Sequence, residues 1–314
     1  MKFHNQRTLK SPVSFSSVGL HTGKMISMRL TPAPANFGIV FKRVDVKEAE
    51  SLIPASYKNV VKTTLGTVIA NKAGVEVSTI EHLMAALWGC GVDNALIEIN
   101  GPEVPIMDGS SEPFIKLIDA AGMVRQDSVR RVLVIKDEIR VGDDARGAVL
   151  RPHRGFKIKF DIDFKDAAIN RQKVKFDFHK ISFKDDIARA RTFGFKDEVE
   201  AMHKAGLGRG GSLENAIVVD NGKILNPEGL RFADEFVRHK VLDSVGDLFT
   251  SGAHIMGEFV GNKSGHHTNN ELLRALMDNQ YAWEMLPAEK APEKPILSKV
   301  IRPLSGGFPA PATA

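Results

Sequence analysis

Between Asp234 and Ser251 the sequence sets one polar stripe on a helix that is otherwise apolar, and few folds accommodate that combination. Val237, Val241, Leu242, Val245, Leu248 and Phe249 recur at helical spacing and leave little of the circumference for water, so the helix belongs between packed layers. His239, Asp243 and Asp247 are four residues apart and lie along one face. On an exposed helix such a series is ordinary i,i+4 pairing. On a helix this apolar the stripe faces a cleft, where an imidazole and two carboxylates need a partner, and a metal ion is one.

The chain has 314 residues, 43% of them hydrophobic and 26% charged, long enough that two domains are expected. A polar run from Val124 to Arg131 places the boundary near residue 127, dividing the chain into 1–127 and 128–300. The tail 301–314, rich in Pro, Ala and Gly, is expected to be disordered. Before the boundary, spacing predicts a helix over Ser78 to Gly89, an alternating strand over Asn94 to Ile99 and a helix over Pro113 to Ala121 that stops at Gly122. Beyond it come strands over Val132 to Val141 and Lys157 to Phe164, and a helix over Lys196 to Ala205. A short strand over Ala216 to Val219 precedes the turn Asp220-Asn221-Gly222, and Met256 to Val260 and Asn269 to Met277 follow as strand and helix. Strands precede helices in each half without βαβα alternation, which predicts an α+β fold of stacked layers.

Lys and Arg number 43 against 38 Asp and Glu, a formal charge of +5 that leans mildly toward anionic partners such as phosphates or membrane surfaces. Met1 to Arg7 lacks the apolar region of a signal peptide, and no stretch approaches the roughly 18 apolar residues of a membrane span, so a cytoplasmic protein is expected. Cys90 is the single cysteine, which excludes an internal disulfide and any multi-cysteine metal site; a metal here must use His, Asp and Glu. Aromatic residues make up 7% and the basic residues are scattered, so no nucleic-acid partner is expected. Gly19 to Met25 is one residue short of a phosphate loop and ends in Met where Ser or Thr is required. Gly206 to Gly211 fits a dinucleotide glycine pattern but follows a helix and precedes a strand, the reverse of the required order.

Two further segments can complete the stripe. Glu81-His82 opens an apolar helix with a carboxylate beside an imidazole, although Ser78-Thr79-Ile80-Glu81 also reads as a capping box. His266 and His267 occupy a segment just before a predicted helix, where Thr268 or Asn269 would serve as its cap. Two His and one Asp leave positions open on a metal, with an adjacent Glu as base and a further His as acid, which describes metal-assisted amide hydrolysis. The same three ligands make the facial triad of Fe(II) oxygenases, and an inert site in a binding protein is a third reading.

Six segments in order resemble one family. They are Ser17-Val18-Gly19-Leu20-His21-Thr22-Gly23-Lys24, Ser78-Thr79-Ile80-Glu81-His82-Leu83, Pro105-Ile106-Met107-Asp108-Gly109-Ser110, Ala190-Arg191-Thr192-Phe193-Gly194-Phe195, Arg238-His239-Lys240 with Asp243 and Asp247, and Ser264-Gly265-His266. The family is the zinc-dependent UDP-3-O-acyl-N-acetylglucosamine deacetylases of bacterial lipid A biosynthesis. The resemblance implies zinc, with Fe(II) as an alternative occupant, held by His82, His239 and Asp243. It implies Glu81 as general base, His266 as general acid oriented by Asp247, Thr192 at the oxyanion and Lys240 at the substrate. The reaction implied is loss of acetate from UDP-3-O-[(R)-3-hydroxyacyl]-N-acetylglucosamine, the committed step of lipid A synthesis, by a cytoplasmic enzyme that touches the membrane peripherally and needs no protein partner. Two α+β domains are implied, with helices packed between two sheet layers and the active site at their junction. A βααβ insert near 193–219 would carry the acyl passage, lined by Phe193, Phe195, Val199, Met202 and Leu207. The segment Lys62-Thr63-Thr64-Leu65-Gly66-Thr67 departs from the family by lacking a Met and a Cys.

Overall fold

The structure is a computed structural model that describes residues 4–292. The chain forms an α+β fold whose two large sheets are segregated along the sequence. The first has five strands in the spatial order Val13–Val18, Met25–Pro32, Ala95–Ile99, Ile39–Arg43 and Leu52–Pro54, with one parallel pair between Ile39–Arg43 and Ala95–Ile99. The second has seven strands and lies wholly after residue 130. His254–Asn262 is its organising strand, parallel to Arg131–Ile135 and Phe156–Asp163 and antiparallel to Gly147–Arg151. In Phe156–Asp163 the strict alternation buries Ile158, Phe160 and Ile162 on one face.

The predicted strand over Val132 to Val141 is two strands, Arg131–Ile135 and Ile139–Gly142. The charged run Lys136-Asp137-Glu138 breaks it, and the Lys136 and Asp137 N–H groups turn aside to the Ala282 carbonyl. The polar run placed at the boundary is itself a strand, Met123–Val129, paired with Asn5–Leu9. The tail from residue 301 lies outside the described residues.

Six helices accompany the sheets among the described residues: α1 (Glu81–Cys90), α2 (Glu112–Ala121), α3 (Phe183–Asp186), α4 (Lys196–Lys204), α5 (Glu235–Phe249) and α6 (His266–Asp278). α1 packs on α5 and α2; α2 also meets Val13–Val18 of the first sheet, and α6 meets Ile139–Gly142 and Gly147–Arg151 of the second. One continuous apolar cluster runs through both sheets and the helices between them. Trp88 of α1 drives an aromatic wedge into the second half, its ring centroid 5.0 Å from Phe178, 5.4 Å from Phe156 and 5.6 Å from both Phe183 and His254. α5 crosses α1 closely because position 246 is glycine: a Cβ there would stand 2.0 Å from the Glu81 carbonyl oxygen.

The expected βααβ insert contains one helix. Phe193–Phe195 leads into α4 and pairs in parallel with Ile217–Asp220, which a two-residue Asn221-Gly222 turn joins to Lys223–Ile224. The second helix is missing because the intervening segment holds Gly206, Gly208, Gly210 and Gly211, of which Gly206 and Gly208 take φ values of 78° and 66°.

Candidate functional site

α1 begins on a strained residue. Thr79 takes φ 57°, unusual for a β-branched side chain, and this turn directs Glu81 and His82 inward from the first helical turn. The capping box does not form: Ile80 is the N-cap position, and Glu81 Oε2 instead accepts from the Thr67 N–H at 2.9 Å. Opposite, α5 presents His239, Asp243 and Asp247 from a helix buried almost throughout.

His82, His239 and Asp243 converge, each offering one ligand atom within 4.8 Å of the others. The two imidazoles meet edge to face with centroids 4.9 Å apart, and Asp243 Oδ1 lies 3.6 Å from His82 Nε2 and 3.3 Å from His239 Nε2. Three observations test whether these donors suit a cation. Asp243 Oδ1 is buried with no hydrogen-bond donor of its own, an arrangement that is costly unless something else occupies the centre. His239 Nδ1 is bonded to the Ala190 carbonyl at 3.0 Å, which turns Nε2 inward as a free lone pair. Burial first, then His82, hold the His239 imidazole far below its usual value, at about 3, so it is neutral at neutral pH. The Asp243 carboxylate stays ionised: burial opposes its charge, but the charged Lys240, bonded to its Oδ2, and the His266 imidazolium outweigh it. A neutral His239 imidazole and an anionic Asp243 carboxylate are the protonation states a divalent ion requires, so the residues fit a metal.

Beside this cluster stand a carboxylate and an imidazole in opposite roles. Burial raises the Glu81 carboxyl above its ordinary value. His266 is pushed up to about 10: burial works against the charge, but Asp247 and then Glu81 more than offset it. His266 Nε2 is 3.9 Å from Glu81 Oε1, and its Nδ1 is 2.9 Å from Asp247 Oδ2. A raised carboxyl and a protonated imidazole therefore face one another beside the three converging donors. α6 starts at His266 with Gly265 as its N-cap residue, so Thr268 and Asn269 are not caps. Asn269 lies within α6, 1% exposed, and donates to Asp247 Oδ2 at 2.9 Å. His267 points out to solvent and pairs with Glu271, outside the site.

Lys240 Nζ bonds Asp243 Oδ2 at 2.8 Å and lies 5.6 Å from the Phe193 ring centroid, so it sits against the donor cluster. Thr192 is seated by its own N–H on the Gly109 carbonyl and by its carbonyl on the Ile217 N–H, both at 2.8 Å. It stands two residues after the Ala190 carbonyl that holds His239. The Met107 to Ser110 motif thus serves as a seat, and Ser111 continues it by donating to the His82 carbonyl at 2.8 Å. The Gly19 to Lys24 turn is closed by Glu103, which accepts from the His21 and Thr22 N–H groups. A carboxylate fills the position a phosphate would need.

Phe193 lies 6.3 Å from the His239 ring and 5.0 Å from Phe236, while Phe195 packs 5.8 Å from Phe164. Val199 and Met202 are half-buried and Leu207 is 38% exposed, so none of the three belongs to the core. The site residues that sequence reading missed are Thr67 and Asn269. Neither carries a periodic or charge signal, and each is identified only by the carboxylate it bonds.

Residues 6–278 match the family described as UDP-3-O-acyl N-acetylglycosamine deacetylase. Among curated proteins, the chain is similar to the UDP-3-O-acyl-N-acetylglucosamine deacetylase of Shewanella woodyi, 49% identical over 91% of this chain and 94% of that protein. It is 50% identical to the enzyme of that name from Phenylobacterium zucineum, over 89% of this chain and 96% of that protein. The Shewanella oneidensis protein of the same name is 47% identical over 93% and 95%.

Proposed function

The chain belongs to the UDP-3-O-acyl-N-acetylglucosamine deacetylase family, and on that premise we propose how its residues remove acetate from UDP-3-O-acyl-N-acetylglucosamine in lipid A biosynthesis. Membership favours the hydrolase over the oxygenase and binding-protein readings. The observation that carries the mechanism is the opposed pair Glu81 and His266, 3.9 Å apart beside three converging donors.

His82, His239 and Asp243 would hold the metal, which we read as zinc. When bound, it supplies Lewis acidity, favouring ionisation of water and polarising the acetyl carbonyl. Glu81 takes a proton from the attacking water as the new C–O bond forms. The Thr192 hydroxyl supports the oxygen that gains charge. His266, held protonated by Asp247, gives its proton to the amine nitrogen as the C–N bond breaks, leaving acetate and a free amine. Lys240, against the donor cluster, meets the polar part of the substrate. Phe193, Phe195, Val199, Met202 and Leu207 form an apolar path for the acyl chain, supported by the half-buried state of Val199 and Met202 on a helix with no buried residue. Among the described residues no helix is long and apolar enough to cross a membrane. We place the reaction in the cytoplasm, with the acyl end of the substrate toward the membrane surface.

Acetate release by chelated protein, before and after zinc or Fe(II) is restored, tests this reading, with Glu81→Ala in parallel. Activity that returns with zinc in the wild type and not in Glu81→Ala is expected. No acetate from the zinc-loaded wild type would overturn it.

A further inference from the structure

The segment that departs from the family pattern, Lys62 to Thr67, reaches the floor of the site. Leu65 takes φ 61°, a left-handed conformation that branched side chains adopt at a cost. Gly66 follows, where a Cβ would stand 2.9 Å from Glu81 Oε1. This turn delivers Thr67, 3% exposed, between two carboxylates carried by different helices. Its N–H donates to Glu81 Oε2 at 2.9 Å and its hydroxyl to Asp247 Oδ1 at 2.6 Å. The other Asp247 oxygen, Oδ2, accepts from His266 Nδ1 and Asn269 Nδ2, both at 2.9 Å.

A carboxylate bonded only to an imidazole can rotate, because its terminal torsion is soft. Thr67 removes that freedom. A hydroxyl has one proton, and with an ionised carboxylate as neighbour that proton is committed to Asp247, in a charge-assisted bond of short length. Asn269 completes the lock on the opposite oxygen. Its orientation is set by the carboxylate, since a flipped amide would bring oxygen against oxygen, and its own Oδ1 is left buried without a donor. A buried unpaired oxygen is the cost of keeping the donor on Asp247.

We propose that Thr67 is a positioning residue for deacetylation, bridging Glu81 and Asp247 so that the base and the His266–Asp247 acid face one substrate from fixed directions. The inference rests on the assignment of Glu81 as base and His266 as acid. The segment without the expected Met and Cys is thereby part of the machinery through its backbone and its one buried hydroxyl.

The test uses the full chain loaded with zinc. Thr67→Val removes the hydroxyl and keeps the shape and the N–H, while Thr67→Ser keeps the hydroxyl. Two readings are taken: steady-state acetate release, and the downfield proton resonance of the His266 Nδ1–H in NMR. The expected result for Thr67→Val is kcat lowered about tenfold or more with KM within about twofold, as for loss of a hydrogen bond to a charged group. The resonance should shift upfield in that variant, and Thr67→Ser should retain both properties. Thr67→Ala carries the same test should the valine variant not fold. Thr67→Val with unchanged kcat and resonance overturns the proposal. So does a fall in kcat without a change in the resonance, or one that Thr67→Ser shares, because either is a packing effect. If the wild type releases no acetate, the role in deacetylation falls with the mechanism, and a resonance shift in Thr67→Val then reports only the Thr67–Asp247 bond. An active wild type with an indifferent Thr67→Val overturns the positioning role and leaves the mechanism standing.

Discussion

At the scale of single residues, the site is a set of opposed charges whose signs are set by neighbours. Asp247 is the main favourable influence on the His266 charge, ahead of Glu81. Replacing it in Asp247→Asn removes a negative charge, so the His266 pKa must fall and the imidazole must lose its proton at lower pH. The expected outcome is a basic limb of the kcat/KM profile displaced toward acid, with kcat lowered by about a hundredfold or more as for loss of general acid catalysis. Acetate release across pH in both proteins checks it; a limb that stays in place would remove Asp247 from this role. Asp247 was legible in the sequence because i,i+4 spacing on an apolar helix is a geometric statement, whereas His266 was singled out from His267 only by the Ser264-Gly265-His266 motif. Thr67 was not legible, because its contribution depends on a turn whose direction comes from Leu65 and Gly66. Asn269 was misjudged for a related reason: beside a loop it resembles a cap, and only the observed start of α6 at His266 places it inside the helix.

The elements explain how site residues far apart in the chain meet. Glu81 and His82 come from α1, His239 and Asp243 from α5, and the two helices can approach only because Gly246 has no side chain. Gly246→Ala would drive a methyl group into the Glu81 carbonyl. Denaturant unfolding should show a loss of about 2 kcal/mol or more, as for other overpacked interiors, and affinity for a divalent metal should fall with it; an alanine variant of wild-type stability would show that the crossing is not so tight. α4 makes the opposite prediction. Because it buries no residue, Val199→Ala with Met202→Ala should leave thermal stability nearly unchanged while lowering kcat/KM for long-chain acyl substrates more than for short ones. Equal kcat/KM losses for both chain lengths would count against an acyl path there. Helices and alternating strands were readable from periodicity, with errors where charge or glycine intervened: the Lys136-Asp137-Glu138 run divided a strand, and the glycines after α4 removed a helix. Periodicity records which face is buried and is silent on how two buried faces are brought together.

For the molecule as a whole, the junction between the two large sheets is also where pH should act on stability. His254 begins the organising strand of the second sheet and lies beneath both crossing helices, its ring 5.6 Å from Trp88 of α1 and 5.3 Å from Phe249 of α5. It is 6% exposed and its Nε2 has no partner. Burial, and then the nearby Arg130 charge, hold its pKa well below the ordinary 6.5. The folded chain therefore keeps His254 neutral at pH values where the unfolded chain protonates it. Above 6.5 neither state binds the proton and this residue adds no slope. Below 6.5 the unfolded state gains a proton that the folded state refuses, so stability falls as pH falls, by up to about 1.4 kcal/mol per pH unit. Unfolding of wild type and His254→Leu at pH 8, 6 and 5, a series that spans the ordinary imidazole value, isolates the effect as a difference in slope. The wild type should lose more stability across that interval, whatever the offset between the two proteins at pH 8. Parallel slopes would mean that the junction opens enough to hydrate the imidazole, and that the wedge of Trp88 into the second half is looser than its four ring contacts imply.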